Sequence, residues 1–135
     1  METITYVVEE DLGVAEFVDV LRRSGLAERR PVGDLDRIGR MLAHANLIVT
    51  ARDGGRLVGV SRALTDFSYC CYLSDLAVDR EVQGCGIGKR LIEETRRAAG
   101  PQASCILLSA PGAMEFYRAI GMPQADNAFV LQRQE

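Results

Sequence analysis

The sequence predicts an α/β fold in the element order βααβββαβαβ, built as one domain over residues 1–135. Three observations predict it. Stretches with apolar residues at the 3.6-residue period alternate with short β-branched runs. Asp53-Gly54-Gly55 separates two of those runs as a hairpin turn. Residues 69–98 read as an apolar strand, a glycine-rich turn and an amphipathic helix in direct succession.

Each element has its own warrant. Residues 3–8, Thr-Ile-Thr-Tyr-Val-Val, are rich in β-branched side chains and read as the first strand. Val14, Phe17, Val18 and Leu21 recur at i, i+3, i+4, i+7, a helix that Gly25 ends. Arg29-Arg30-Pro31 is a break. Asp34 is placed as an N-cap, and Leu35, Ile38, Met41, Leu42 and Ala45 make a second helical stripe closed by Asn46. Residues 47–52 and 56–64 are the two arms of the hairpin, and Thr65-Asp66-Phe67 is the next turn. The central strand covers residues 69–78. The following helix buries Ile87, Leu91, Ile92, Thr95 and Ala98, and Gly100-Pro101 stops it. Residues 103–109 form a strand, Pro111-Gly112 opens a short helix carrying Ala113, Phe116, Tyr117 and Ile120, and Gly121 caps it. Residues 127–132 are read as a last strand.

Bulk properties narrow the function classes. A chain of 135 residues with 47% hydrophobic and 26% charged residues is ordinary for a soluble globular domain with a sizeable core. The net charge is −3 and the basic residues are scattered, which argues against nucleic acid as a main partner. The four cysteines, Cys70, Cys71, Cys85 and Cys105, show no Cys-x-x-Cys spacing, and with a single histidine no metal site is expected. The acidic, polar first residues do not read as a secretory leader, and no apolar run reaches membrane-spanning length. A reduced, cytoplasmic protein is expected.

The glycine-rich turn carries the chemistry. Gly84, Gly86 and Gly88 stand at alternate positions where the turn enters the helix. Lacking Cβ atoms, they let backbone N–H groups approach a ligand, and the helix N-terminus adds free donors and a positive dipole end. Such a turn suits phosphate or pyrophosphate. A Walker A loop does not fit, because its first glycine would fall on Gln83 and its Ser/Thr on Arg90. A dinucleotide fingerprint starting at Gly84 would need glycine at Lys89. A bare strand–helix corner is the competing reading, but three glycines cost backbone entropy that a corner does not require.

The pattern that fits is Gln83-x-x-Gly86-x-Gly88 after a strand ending in Leu76-Ala77-Val78. It resembles the acetyl-CoA-binding motif of the GCN5-related N-acetyltransferases, the GNAT superfamily. The segment Tyr117-Arg-Ala-Ile-Gly121-Met122 is similar to the family's Tyr-x-x-x-Gly-Phe, with Met122 for Phe. The element order resembles the GNAT fold from end to end. That likeness implies a mixed, mostly antiparallel sheet with helices on both faces. It also implies a bulged central strand splayed from its neighbour, whose main chain at Leu76, Ala77 and Val78 pairs with the pantetheine arm. The pyrophosphate would lie on Gln83, Gly84, Cys85, Gly86, Ile87, Gly88 and Lys89. The family's frequent Asn seven residues before the Tyr is Ala110 here, so that cofactor contact is missing.

By the same resemblance Tyr117 is the candidate general acid toward the CoA sulfur; from spacing alone it reads as a packed core tyrosine. A phenol, with a reference pKa of ~10, can hold a proton for a departing thiolate. Asp75 interrupts an apolar strand. It reads either as a base or amine-positioning group, or as a carboxylate bonded to backbone N–H groups near a bulge. Tyr72 and Ser74 are candidates for the acceptor pocket. The implied function is acetyl-CoA-dependent N-acetyl transfer to a primary amine of a small molecule or protein. Direct transfer is expected, because no Cys–His nucleophile pair is apparent. A catalytically silent acyl-CoA-binding regulatory module is the alternative. Residues 12–46 are the expected acceptor side. Glu9, Glu10, Asp11, Asp34 and Asp36 offer attraction for a cationic amine, and Arg22-Arg23 and Arg29-Arg30 read either as surface charge or as partners of the CoA 3′-phosphate or of an acidic acceptor. A short last strand would leave a sheet edge to cover, which makes room for a homodimer.

Overall fold

The computed structural model describes residues 3–135. Its elements are β1 (Ile4–Val8), α1 (Val14–Ser24), α2 (Leu35–His44), β2 (Leu47–Asp53), β3 (Arg56–Thr65), β4 (Cys70–Val78), α3 (Ile87–Ala99), β5 (Ser104–Ile106) and α4 (Met114–Ala119). Short 3-10 turns at Leu26–Arg29, Arg80–Val82 and Pro111–Ala113 join them. The five strands form one sheet in sequence order, antiparallel from β1 to β4 and parallel between β4 and β5. This is the mixed, mostly antiparallel sheet expected.

Helices cover both faces. On one face Phe17, Val18, Val20 and Leu21 of α1 and Ile38 of α2 pack with Ile48, Leu57, Val60 and Ala77 of the sheet. On the other, Ile87, Leu91 and Ala99 of α3 pack with Leu47, Val49, Ala51, Val58, Ala63 and Cys71. Thr95 is buried in α3 because its hydroxyl is satisfied by Leu91 O and by Ser61 Oγ, each at 2.7 Å. Asp34 caps α2 as expected, its carboxylate accepting Arg37 N–H at 3.1 Å. The expected α2 stripe is only partly covered, and Leu35 lies exposed at its start.

A bulge sits in β4. Arg62 faces Asp75 and the next position, Ala63, faces Leu73, so Ser74 is the extra residue. The inserted residue switches the faces of the strand. Cys71 packs on the α3 side, whereas Ala77, six positions on, packs under α1. Without a bulge both would share one face, since strand side chains alternate with period two.

Two strand expectations change. The fifth strand stops at Ile106 instead of running to residue 109. It pairs with β4 only at Cys70, Cys71 and Tyr72, and then the two strands part. The expected last strand over residues 127–132 does not form, so the order is βααβββαβα. Phe129 is 98% and Leu131 101% exposed. This short apolar run has no ladder to join, and a β pattern without a partner strand gains no hydrogen bonds. Among the described residues no helix is long and apolar enough to cross a membrane.

Candidate active site

Where β4 and β5 part, a cavity of about 770 Å³ opens. Its floor is the β4 edge, with Leu73, Ser74, Leu76 and Val78. One wall is the end of α1 and the turn after it: Ser24, Gly25, Leu26, Arg29 and Arg30. The opposite wall comes from Leu107, Leu108, Ala110 and the α4 residues Phe116 and Tyr117. The start of α3 closes one end with Gln83, Gly84, Gly86, Ile87, Gly88 and Lys89. Past Tyr72, β4 has no ladder partner on this side, so main-chain groups face the opening.

The α3 end is built for an anion. Gly84 and Gly86 both have φ +84°, a left-handed conformation that a side chain would strain, and nothing lies within 4 Å of where a Cβ would be. The helix begins without a side-chain cap and without an acidic residue in its first turn. Its first N–H groups therefore stay free for a ligand. Gly88 serves packing instead: a Cβ there would stand 2.8 Å from Phe116 Cζ. Gln83 folds the loop back, its Nε2 donating to Val78 O at 3.0 Å. Open glycine cradle, uncapped helix start and adjacent Lys89 fit a diphosphate group.

Asp79 anchors the loop. Its carboxylate accepts Glu81 N–H at 2.9 Å and Arg23 Nη1 at 2.5 Å, with Arg56 Nη2 at 3.6 Å. Burial works to raise its pKa, but the Glu81 N–H and the Arg23 guanidinium outweigh this and hold it below the usual value. Sequence reading overlooked Asp79, although an Asp directly after a strand and two residues before a free N–H is a turn-capping pattern.

Asp75 is fully buried at 0% exposure and does not line the cavity. It stands between two guanidiniums, Arg30 Nε at 2.5 Å and Arg62 Nε on the other oxygen. Arg62, 7% exposed, also donates to Met41 O and Ser74 Oγ. Arg30 donates further to Ser74 O at 2.8 Å, which ties the post-α1 turn to the β4 bulge. The backbone N–H partners considered for Asp75 in the sequence are replaced by arginines.

Tyr117 lines the cavity on α4, packed edge-on against Phe116 with ring centroids 5.0 Å apart. Burial raises its pKa, and the nearby Arg30 charge partly opposes this. The phenol thus carries its proton throughout the neutral range. Ser74 lines the cavity; Tyr72 does not. Leu76 and Val78 contribute side chains to the lining, whereas the Ala77 side chain turns into the α1 core and Cys85 lies exposed outside it. The charged lining residues are Arg29, Arg30, Arg80 and Lys89. No Asp, Glu or His lines the cavity among the described residues. Glu9 and Glu10, expected to draw a cationic amine, line a separate hollow of about 420 Å³.

Comparison with known proteins agrees with this geometry. Residues 43–121 match the model of the acetyltransferase (GNAT) domain. The chain is 31% identical over 96 residues to an uncharacterized N-acetyltransferase, ycf52, of Porphyra purpurea, an alignment covering 64% of this chain and 53% of the relative. The chain thus spans about half the length of that curated relative. A GNAT-family acetyltransferase of Streptococcus pneumoniae TIGR4 shares the fold at TM-score 0.73 and 21% identity, covering 98% of this chain and all of the other (100%). An aminoglycoside acetyltransferase from an uncultured soil metagenomic sample, solved with sisomicin, superposes at TM-score 0.67 and 22% identity, covering 98% and 95%. With the family model spanning more than half of its length and the splayed β4–β5 cavity at its centre, the chain belongs to the GNAT acetyltransferase family.

Proposed function

We propose that this protein is an acetyl-CoA-dependent N-acetyltransferase that acetylates a primary amine by direct transfer. The observation that carries the reading is one continuous cavity running from the uncapped start of α3, along the unpartnered edge of β4, to Tyr117. Gly84, Gly86 and the first N–H groups of α3, with Lys89, hold the diphosphate; the main chain at Leu76, Ala77 and Val78 accompanies the pantetheine arm. Bound acetyl-CoA supplies an activated thioester. Tyr117 keeps a proton on its phenol oxygen for the departing sulfur, which its raised pKa favours.

No carboxylate or imidazole of the described lining is in place to take the amine's proton. The positive charges of Arg29 and Arg30 perform part of that task, because neighbouring cations favour the neutral form of an amine. The proton then leaves to water. Asp75 acts as a positioning residue: it holds Arg30 against the bulge and does not reach the acceptor. On its cysteine usage, we assign the protein to the cytoplasm.

Isothermal titration with acetyl-CoA, using CoA, ATP and NAD as controls, tests the cofactor. Binding of acetyl-CoA and CoA alone is expected, followed by turnover in an amine panel. Absence of CoA binding by folded, ligand-free protein refutes the reading. Binding without turnover on any amine returns the protein to a silent acyl-CoA module.

A further inference from the structure

The cavity carries charge of one sign. Arg29, Arg30, Arg80 and Lys89 line it without a single described carboxylate, although the protein as a whole has a net charge of −3. The four cations fall into two groups. Lys89 belongs to the α3 start, and Arg80 lies on the loop leading to it, with its guanidinium over Gly25. Arg30 is bonded to Ser74, four residues before Val78, which is ~13 Å along an extended strand. A diphosphate seated at Gly84–Gly88 accounts for the first group, and the 3′-phosphate of CoA lies on the adenosine side of that diphosphate, away from the pantetheine that follows β4, so the second group at Ser74 is left without an anion of the cofactor.

The second group has unused capacity. Arg30, Arg62 and Asp75 make a cluster of two cations and one anion, so it holds an excess positive charge. Arg62 is sunk beneath Asp75, while the Arg30 side chain is 23% exposed on the cavity side. A guanidinium has five N–H donors. Arg30 spends three, on Asp75, Arg29 O and Ser74 O, which leaves two. Arg29 next to it is exposed and has no carboxylate within ion-pair distance among the described residues. A half-buried cation that shares its single carboxylate with a second arginine, with an exposed unpaired cation beside it on an open cavity, is best satisfied by an anionic ligand group.

We propose that the acceptor is a small amine that itself bears a carboxylate, an amino-acid-like molecule whose carboxylate is held by Arg29 and Arg30. This rests on the acetyltransferase reading above. The acceptor nitrogen forms the new C–N bond to the acetyl carbon as the C–S bond breaks. The acceptor's ammonium loses one proton to water before attack and a second as the amide forms, the sulfur leaves as a thiol with the proton from Tyr117, and water returns a proton to the phenolate, so one proton is released overall. One carboxylate against Arg29 and the excess charge of the Arg30–Arg62–Asp75 cluster draws the acceptor in and still leaves positive charge beside its amine, which favours the neutral form. A polycation gains nothing here, so the aminoglycoside chemistry of the soil-metagenome neighbour does not transfer to this cavity.

The test is steady-state turnover of the full chain with matched acceptors: free amino acids, the same amino acids as C-terminal amides, and a linear polyamine. Acetyl-CoA titration runs in parallel. The expected result is a kcat/KM at least ten times higher for the acids than for their amides. Arg29→Gln and Arg30→Gln should each raise the acceptor KM and shrink that ratio, with the KM for acetyl-CoA unchanged. Arg29 is exposed, so its variant keeps the test valid even where Arg30→Gln fails to fold. Equal rates on acids and amides, preference for the polyamine, or a rise in the acetyl-CoA KM of Arg29→Gln would each overturn the proposal. Loss of CoA binding by the parent protein would instead overturn the acetyltransferase reading beneath it.

Discussion

Replacing Asp75 by asparagine separates a structural carboxylate from a catalytic base. Asp75 is completely buried and both its oxygens are engaged by guanidiniums, one of them itself sealed from solvent. Asp75→Asn keeps the shape and removes the anion, leaving Arg62 as a buried charge with only neutral partners. Breaking a buried ion pair from one side costs about 3–5 kcal/mol. With a urea m-value of about 2 kcal/mol/M, the unfolding midpoint should fall by roughly 2 M. Domains of this size hold only ~5–15 kcal/mol in total, so the variant should be folded but fragile. Adding Arg62→Met removes the stranded cation and should recover part of the loss, a coupling that a double-mutant cycle reads directly. The assay is urea unfolding followed by circular dichroism, with turnover measured on the same samples. A midpoint within ~0.3 M of the parent together with abolished turnover would show that Asp75 is a base and that the packing argument fails.

Tyr117→Phe should lower kcat by about 100-fold with little change in the acetyl-CoA KM, measured by thiol release, since the phenol proton acts only as the bond to sulfur breaks. Gly86→Ala places a side chain at φ +84° and should weaken CoA binding by titration while costing ~1 kcal/mol of stability. Gly88→Ala should displace Phe116, and with it α4 and Tyr117, so that kcat falls more than the melting temperature. Acid should destabilise the fold. Arg52 lowers the pKa of both Glu9 and Glu16 from the ordinary 4.5, and Asp79 lies below its ordinary 3.8. Groups with depressed folded values stabilise above their unfolded pKa and lose that contribution as the pH falls through the folded one. Melting temperature should therefore drop between pH 5 and pH 3, and Arg52→Gln should flatten that drop.

Local pattern carried most of the fold. The α1 and α3 stripes, the Asp34 cap and the Asp53-Gly54-Gly55 turn appear where residue spacing and turn chemistry place them, because each is decided within a few residues. The failures depend on distant partners. Residues 127–132 carry a short apolar run that reads as a strand, but a strand exists only where another offers a ladder. The early end of β5 likewise follows from its divergence from β4, which no local signal encodes. Resemblance implies a bulge in the central strand but not its place at Ser74, because the extra residue shows only in the register with β3.

The candidate site divides in the same way. The glycine-rich end of the cavity was legible because one contiguous run carries it: Gln83, Gly84, Gly86, Ile87, Gly88 and Lys89 all line the opening. The Arg62–Asp75 pair was overlooked, although a signal for it exists. Each charge interrupts an apolar strand, and they lie 13 residues apart across one turn, so antiparallel pairing sets them opposite each other. The charge sign at the Arg29–Arg30 end of the cavity was left open by the sequence, where both acidic residues and the Arg29-Arg30 pair stood as candidates. The acidic residues around the first two helices suggested a cationic acceptor. In the folded chain Glu9 and Glu16 pair with Arg52, and Asp34 caps α2. The turn after α1 instead brings Arg29 and Arg30 over β4, where Asp75 neutralises only one of the two guanidiniums it touches. A scan along the chain counts charges but does not show which have been spent. Glu9 is spent on Arg52 and none of these acids lines the cavity, whereas Arg29 and the part of the Arg30 charge that Asp75 leaves over do, so the residual field in the cavity is opposite in sign to the protein's net charge.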